Sequence, residues 1–133
     1  MDLITKPVVA VVDDDPRVRE SLESLIESAG FSAQVFARGE DFLRRSHLTE
    51  TGCLITDIRM PGMDGLELQR RVRLARPELP IIFITAHHDD ELERRAFAAG
   101  AVYFIRKPFV AGELLRAARA ALGKASKDNR KTS

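Results

Sequence analysis

Read for polarity alone, the chain alternates short apolar runs with amphipathic stretches, five times over. The first run, Val8 to Val12, has no polar interruption. Such a run suits a strand covered on both faces, as in a parallel sheet, and not a strand with one wet face. Asp15 and Pro16 follow, a good N-cap and a good first helical residue. Val18, Leu22, Leu25, Ile26 and Ala29 then recur at helical spacing, and Gly30 is placed to end the helix. Phe31 to Phe36 reads as a second strand, and Gly39 to about His47 as a short helix with Phe42 and Leu43 inward. Cys53 to Thr56 is a third buried strand, ending in Asp57. Residues 59–65, Arg-Met-Pro-Gly-Met-Asp-Gly, hold a strong turn signal, and Leu66 to Ala75 returns to helix before Pro77 stops it. Ile81 to Ile84 forms a fourth strand leading to Thr85. Asp89 to Ala99 is helical with few large apolar residues, and Gly100 closes it. Ala101 to Ile105 is a fifth strand; Leu114, Leu115, Ala118, Ala121 and Leu122 stripe a last helix.

Strict alternation of strand and helix implies a parallel sheet with helices on both faces, because parallel strands need crossover connections. The expected fold is α/β, a doubly wound five-stranded parallel sheet of the flavodoxin-like type with strand order 2-1-3-4-5. The 133 residues fit one domain. Residues 1–6 read as a lead-in, 7–123 as the domain, and 124–133 as a basic flexible tail or truncated linker. That tail carries Lys124, Lys127, Arg130 and Lys131 against Asp128, so the rest of the chain is net negative despite an overall +1. This distribution does not suit a uniformly basic nucleic-acid binder, and direct nucleic-acid binding is not expected. No apolar run approaches the ~20 residues of a membrane helix. The single cysteine, Cys53, excludes an internal disulfide and reads as core. The expectation is a cytoplasmic protein without membrane attachment.

The chemistry gathers at the C-terminal ends of the strands, where open α/β sheets bind ligands. Asp13 and Asp14 end the first strand, Asp57 the third and Thr85 the fourth, and Lys107 follows the fifth. Three converging carboxylates repel one another unless something neutralises them. A hard divalent cation does so, and Mg²⁺ typically takes one or two carboxylates, waters and phosphate oxygens. Lys107 adds a compact positive charge and Thr85 a hydroxyl donor for an incoming phosphate oxygen. These parts equip a carboxylate to act as a nucleophile toward phosphorus.

Four segments carry a resemblance: Val-Val-Asp-Asp-Asp-Pro, Thr-Asp-Ile-Arg-Met-Pro-Gly-Met-Asp-Gly, Ile-Thr-Ala, and Gly-Ala-Val-Tyr-Phe-Ile-Arg-Lys-Pro-Phe. In this order and at these separations, residues 7–123 resemble the receiver domains of two-component response regulators, within the CheY-like superfamily. The last segment and the Met-Pro-Gly-Met-Asp-Gly loop are most similar to the FixJ-type branch. The resemblance implies phosphorylation at Asp57, and Mg²⁺ (Mn²⁺ as an alternative) held by Asp13, Asp14, Asp57 and the backbone carbonyl of Arg59. It implies Thr85, Lys107 and Phe104 as switch and phosphate-contacting residues, and a cis peptide before Pro108. Arg59 and His87, each two residues past a site residue, stand where the lifetime of the phosphoryl group is modulated. The implied partners are a sensor histidine kinase or phosphotransfer protein, and a downstream protein or an output domain beyond Ser133. A homodimer formed on phosphorylation through the last helix and fifth strand also fits. The segment 89–122 would serve as the output surface.

Plainer readings compete. Asp15 and Asp64 read as helix caps. Phe104 could be a core aromatic, and Tyr103 should point the other way. His87 and His88 project differently, have no third ligand nearby, and read as loop residues. A haloacid-dehalogenase-type hydrolase would carry a second Asp two residues after its nucleophile. That position is Arg59, which exchanges no proton at neutral pH. A flavin- or nucleotide-binding module would need Gly, Ser or Thr after the first strand to present N–H groups to phosphate. Asp13-Asp14-Asp15 would repel the anion instead. A degenerate receiver serving only protein interaction would not need the complete acidic, hydroxyl and lysine set. The expected domain is therefore a phospho-acceptor without turnover of a substrate.

Overall fold

A computed structural model of the chain describes residues 6–46, 48–87 and 89–132, with side chains described up to Gly123. The elements are β1 (Val8–Val12), α1 (Pro16–Ser28), β2 (Ser32–Phe36), α2 (Gly39–Arg45), a 3₁₀ turn (Leu48–Glu50), β3 (Thr51–Asp57), α3 (Gly65–Ala75), β4 (Ile81–Thr85), α4 (Asp90–Ala98), β5 (Tyr103–Arg106) and α5 (Ala111–Thr132). All strand pairs are parallel, in the order β2-β1-β3-β4-β5. This is the doubly wound arrangement that the polarity pattern implies.

Neighbouring residues on a strand face opposite ways, and in the central strands β1, β3 and β4 both ways are dry. Ala10, Val12, Leu54, Ile81 and Phe83 pack on one face with Phe42, Leu68, Val72 and Ala96 of the helices α2, α3 and α4. Val9, Val11, Cys53, Ile55, Ile82 and Ile84 pack on the other with Leu22, Ile26, Leu114 and Ala121 of α1 and α5. Two-sided burial explains why these three strands read as continuous apolar runs, whereas the edge strands β2 and β5 are half-buried or partly exposed.

Three strand starts differ from the sequence expectation: β3 begins at Thr51, before Cys53, and the other two differ for one physical reason. The helices α1 and α4 both end at a glycine with positive φ, Gly30 at +93° and Gly100 at +102°. The next amide then donates back into the helix: Phe31 N–H to Ile26 C=O at 3.2 Å, and Ala101 N–H to Ala96 C=O at 3.0 Å. That C-cap uses the donor a strand would need. So β2 begins at Ser32, not Phe31, and β5 at Tyr103, not Ala101. The second helix closes at Arg45, with the Ser46 amide donating to Phe42 C=O; His47, the expected end, lies outside the described residues. At the other end of the chain the backbone of α5 runs on through Thr132.

The helix α4 is lightly held. Its one buried residue is Ala96. Its C-terminal end is tied to α3, where Gln69 Nε2 donates to Ala96 C=O at 3.0 Å and Arg73 donates to Ala99 and Gly100 C=O at 3.2 and 2.9 Å. Few apolar contacts make an element of low local stability.

Ile82 is fully buried on β4. Ile82→Ala is expected to lower stability by about 2–5 kcal/mol in urea unfolding with an unchanged denaturant slope. A cost within ordinary surface variation would contradict the two-sided core.

Candidate functional site

Strand register brings the site together. Val12 pairs with Thr56, Asp57 with Ile84 and Thr85 with Arg106. The C-terminal ends of β1, β3, β4 and β5 are thereby level, and the residues that follow them share one crevice. Carboxylate oxygens of Asp13, Asp14 and Asp57 lie within 4.8 Å of one another. Asp13 is fully buried and Asp57 is 6% exposed, whereas Asp14 faces solvent.

Lys107 arrives from beyond β5 and lies between the two buried carboxylates. Its Nζ donates to Asp13 Oδ2 at 2.7 Å and to Asp57 Oδ2 at 2.9 Å. The remaining oxygens are also occupied. The Ile58 N–H donates to Asp57 Oδ1 at 2.7 Å, and the Asp15 N–H donates to Asp13 Oδ1 at 2.9 Å. Burial pushes the Asp13 carboxyl above its usual pKa, and the hydrogen bond from Lys107 opposes that without cancelling it. Burial alone would lower Lys107, but hydrogen bonds to Asp13 and Asp57, with their charges, hold it above its ordinary value. Three carboxylates against one ammonium leave a formal −2 at the crevice, which a divalent cation would balance. The donor set is all hard oxygen, with one ligand at the solvent mouth, and suits Mg²⁺ or Mn²⁺.

The other expected site residues take varied places. Thr85 is buried at the end of β4, and its Oγ1 accepts the His87 N–H at 3.1 Å, leaving the hydroxyl proton available to donate. His87 itself is exposed, and His88 lies outside the described residues. The Arg59 side chain is not at Asp57. Its Nη2 pairs with Asp89 Oδ2 at 3.5 Å, on the N-cap of α4. Phe104 is half-buried between the rings of Phe83 and Phe97, with centroids 6.4 and 6.3 Å away. Tyr103 is exposed on the opposite side of β5. The Lys107–Pro108 peptide is cis. Asp15 caps α1 by accepting the Arg17 N–H, and Asp64 caps α3 by accepting the Glu67 N–H.

Two contributors escaped the sequence reading. Arg19, one turn into α1, donates from Nη1 to the Asp13 carbonyl at 2.8 Å and fixes the end of β1. Gly65 opens α3 against the end of β3: its N–H donates to Ile58 C=O at 2.7 Å, and a Cβ there would stand 2.2 Å from the Asp57 carbonyl oxygen. A signal for Gly65 was present, since glycine is a poor first helical residue behind an Asp cap and needs another reason to be there.

Comparison with known proteins agrees with this geometry. Residues 9–119 match the family described as the response regulator receiver domain. The response regulator protein TodT of Pseudomonas putida is 45% identical over 115 residues, which cover 86% of this chain and 51% of TodT. The transcriptional regulatory protein FixJ of Bradyrhizobium diazoefficiens is 40% identical over 107 residues, covering 80% and 52%. The solved structure of the response regulator StyR superimposes with a TM-score of 0.88 at 42% identity, over 96% of this chain and 65% of that one. The chain spans about half the length of these curated relatives.

Gly65→Ala must move backbone, because the atom it meets is the Asp57 carbonyl. We expect a loss of about 1–3 kcal/mol by thermal or urea unfolding. A variant as stable as wild type would show that the close approach is dispensable.

Proposed function

We propose that this chain, which belongs to the response regulator receiver domain family, accepts a phosphoryl group on Asp57 from a phosphohistidine of a sensor histidine kinase or phosphotransfer protein. Receiver domains are signalling domains of two-component systems, and the fold here is theirs. The observation that carries the Asp57 reading is the single lysine bridging two buried carboxylates beside a third. An Asp57 carboxylate oxygen forms the new O–P bond as the N–P bond of the donor breaks, and the electron pair returns to the imidazole nitrogen. Asp13, Asp14, Asp57 and the Arg59 carbonyl would hold Mg²⁺ (or Mn²⁺), which supplies charge neutralisation on the transferring group. Lys107 holds Asp57 in place before transfer and offers its ammonium to the phosphoryl oxygens afterwards. Thr85 donates its free hydroxyl proton to the same group. Arg59 and His87, two residues past Asp57 and Thr85, would tune its lifetime.

A donor protein has somewhere to rest. An apolar trough between α1 and the loop before α5, lined by Val18, Leu25, Pro108 and Phe109, reaches Lys107. On the reading proposed, phosphorylation draws Thr85 and Lys107 inward, and Phe104 and the 89–122 surface respond. Phe97 and Tyr103 are exposed on that surface and suit a downstream protein, an output domain or a second copy of the chain. The matched residues cover only 51% of TodT and 52% of FixJ, which favours residues 7–123 as the receiver of a longer DNA-binding regulator, with 1–6 leading in and 124–133 as linker. Among the described residues no helix is long and apolar enough to cross a membrane, and we place the protein in the cytoplasm. Arg59, two residues past Asp57, exchanges no proton, which favours a phospho-acceptor over a turnover enzyme.

Incubation with acetyl phosphate and Mg²⁺ should add one phosphoryl group by intact mass. Chelation of the metal or Asp57→Asn should abolish it. An adduct that survives Asp57→Asn unchanged would place the acceptor elsewhere.

A further inference from the structure

Asp89 divides its carboxylate between two tasks. Its Oδ1 accepts the Glu91 and Leu92 amides at 3.0 and 3.2 Å and caps α4. Its Oδ2 takes the Arg59 guanidinium at 3.5 Å. Arg59 is thus an ion-pair link between the loop that follows Asp57 and the first turn of α4. The other end of α4 is tied by Gln69 and Arg73; between the two ends only Ala96 is fully buried, Leu92 packs partly against the core, and Glu93 makes a long 3.7 Å ion pair with Arg106 of β5. An element pinned at its C-terminal end and lightly packed in the middle is sensitive to its N-terminal tie.

That tie competes with the acceptor site. Arg59 follows Asp57 by two residues, and its side chain is half-exposed and unconfined. Phosphorylation replaces the carboxylate of Asp57 with a dianionic acyl phosphate, and planar guanidinium matches phosphate oxygens better than a single shared carboxylate oxygen. We propose that Asp89 is a positioning residue: it parks Arg59 on α4, and loading of Asp57 draws Arg59 onto the phosphoryl oxygens and unties the first turn of α4. This rests on the phospho-acceptor reading above. By linkage, whatever the phosphoryl group does to the Arg59–Asp89 pair, the pair does to the phosphoryl group.

Beryllofluoride, a phosphoryl mimic, tests this on the full chain with Mg²⁺, its affinity read by fluorine NMR. Asp89→Asn keeps a good N-cap but removes the charge. It should bind beryllofluoride about two- to fivefold more tightly, the range set by an exposed ion pair. In the Arg59→Gln background the same substitution should change nothing, which a purely structural role of Asp89 would not produce. Amide exchange over residues 90–93 should rise when the wild type is loaded, and loading should add little in Asp89→Asn. Unchanged or weaker affinity in Asp89→Asn, or an equal gain with and without Arg59, would overturn the proposal while leaving Asp57 as acceptor. No Asp57-dependent binding by wild type would overturn the acceptor reading and this proposal with it.

Discussion

Two buried carboxylates from different strands share one ammonium, and much of this structure follows from that arrangement. Asp13 and Asp57 would repel each other across a dry crevice without Lys107, and desolvated like charges are costly. Lys107 offsets the repulsion of two of the three acids and leaves the third, Asp14, at the mouth. On the reading proposed, the remaining negative charge would draw a divalent cation, and that cation would let an anionic phosphoryl donor approach. The same lysine therefore stabilises the resting site and is in position to serve the loaded one.

The sheet exists in this form because parallel pairing levels the strand ends. Asp13, Asp57, Thr85 and Lys107 are separated by tens of residues, yet each follows or ends a strand whose register is set by apolar packing on both faces. The elements around the crevice differ in how firmly they are held. The strands β1, β3 and β4 are almost wholly buried, α3 is pressed onto Asp57 through Gly65, and α4 buries only Ala96 fully. A rigidly held Asp57 beside a loosely held helix is an arrangement in which a local change of charge can move a surface.

Much of this was legible in the sequence because the determinants are local. Continuous apolar runs report two-sided burial, and Asp15-Pro16 and Gly30 or Gly100 report helix ends. The convergence of Asp13, Asp14, Asp57, Thr85 and Lys107 followed from their positions after successive strands. What escaped depends on contacts between elements that no period encodes. The amides of Phe31 and Ala101 serve as helix caps and not as strand donors. Gly65 is required by the Asp57 carbonyl and not by its turn. The Arg59 side chain turns to Asp89, because a long cation on an exposed loop takes whichever carboxylate the neighbouring helix presents.

On the reading proposed, Asp57 is the one of three adjacent acids that carries the phosphoryl group. Borohydride reduction after treatment with acetyl phosphate and Mg²⁺ converts an aspartyl phosphate to homoserine, and peptide mass spectrometry then locates it. Homoserine is expected at position 57 alone, and only when metal was present. Homoserine at position 13 or 14, or none at all under conditions that label a known receiver, would contradict it.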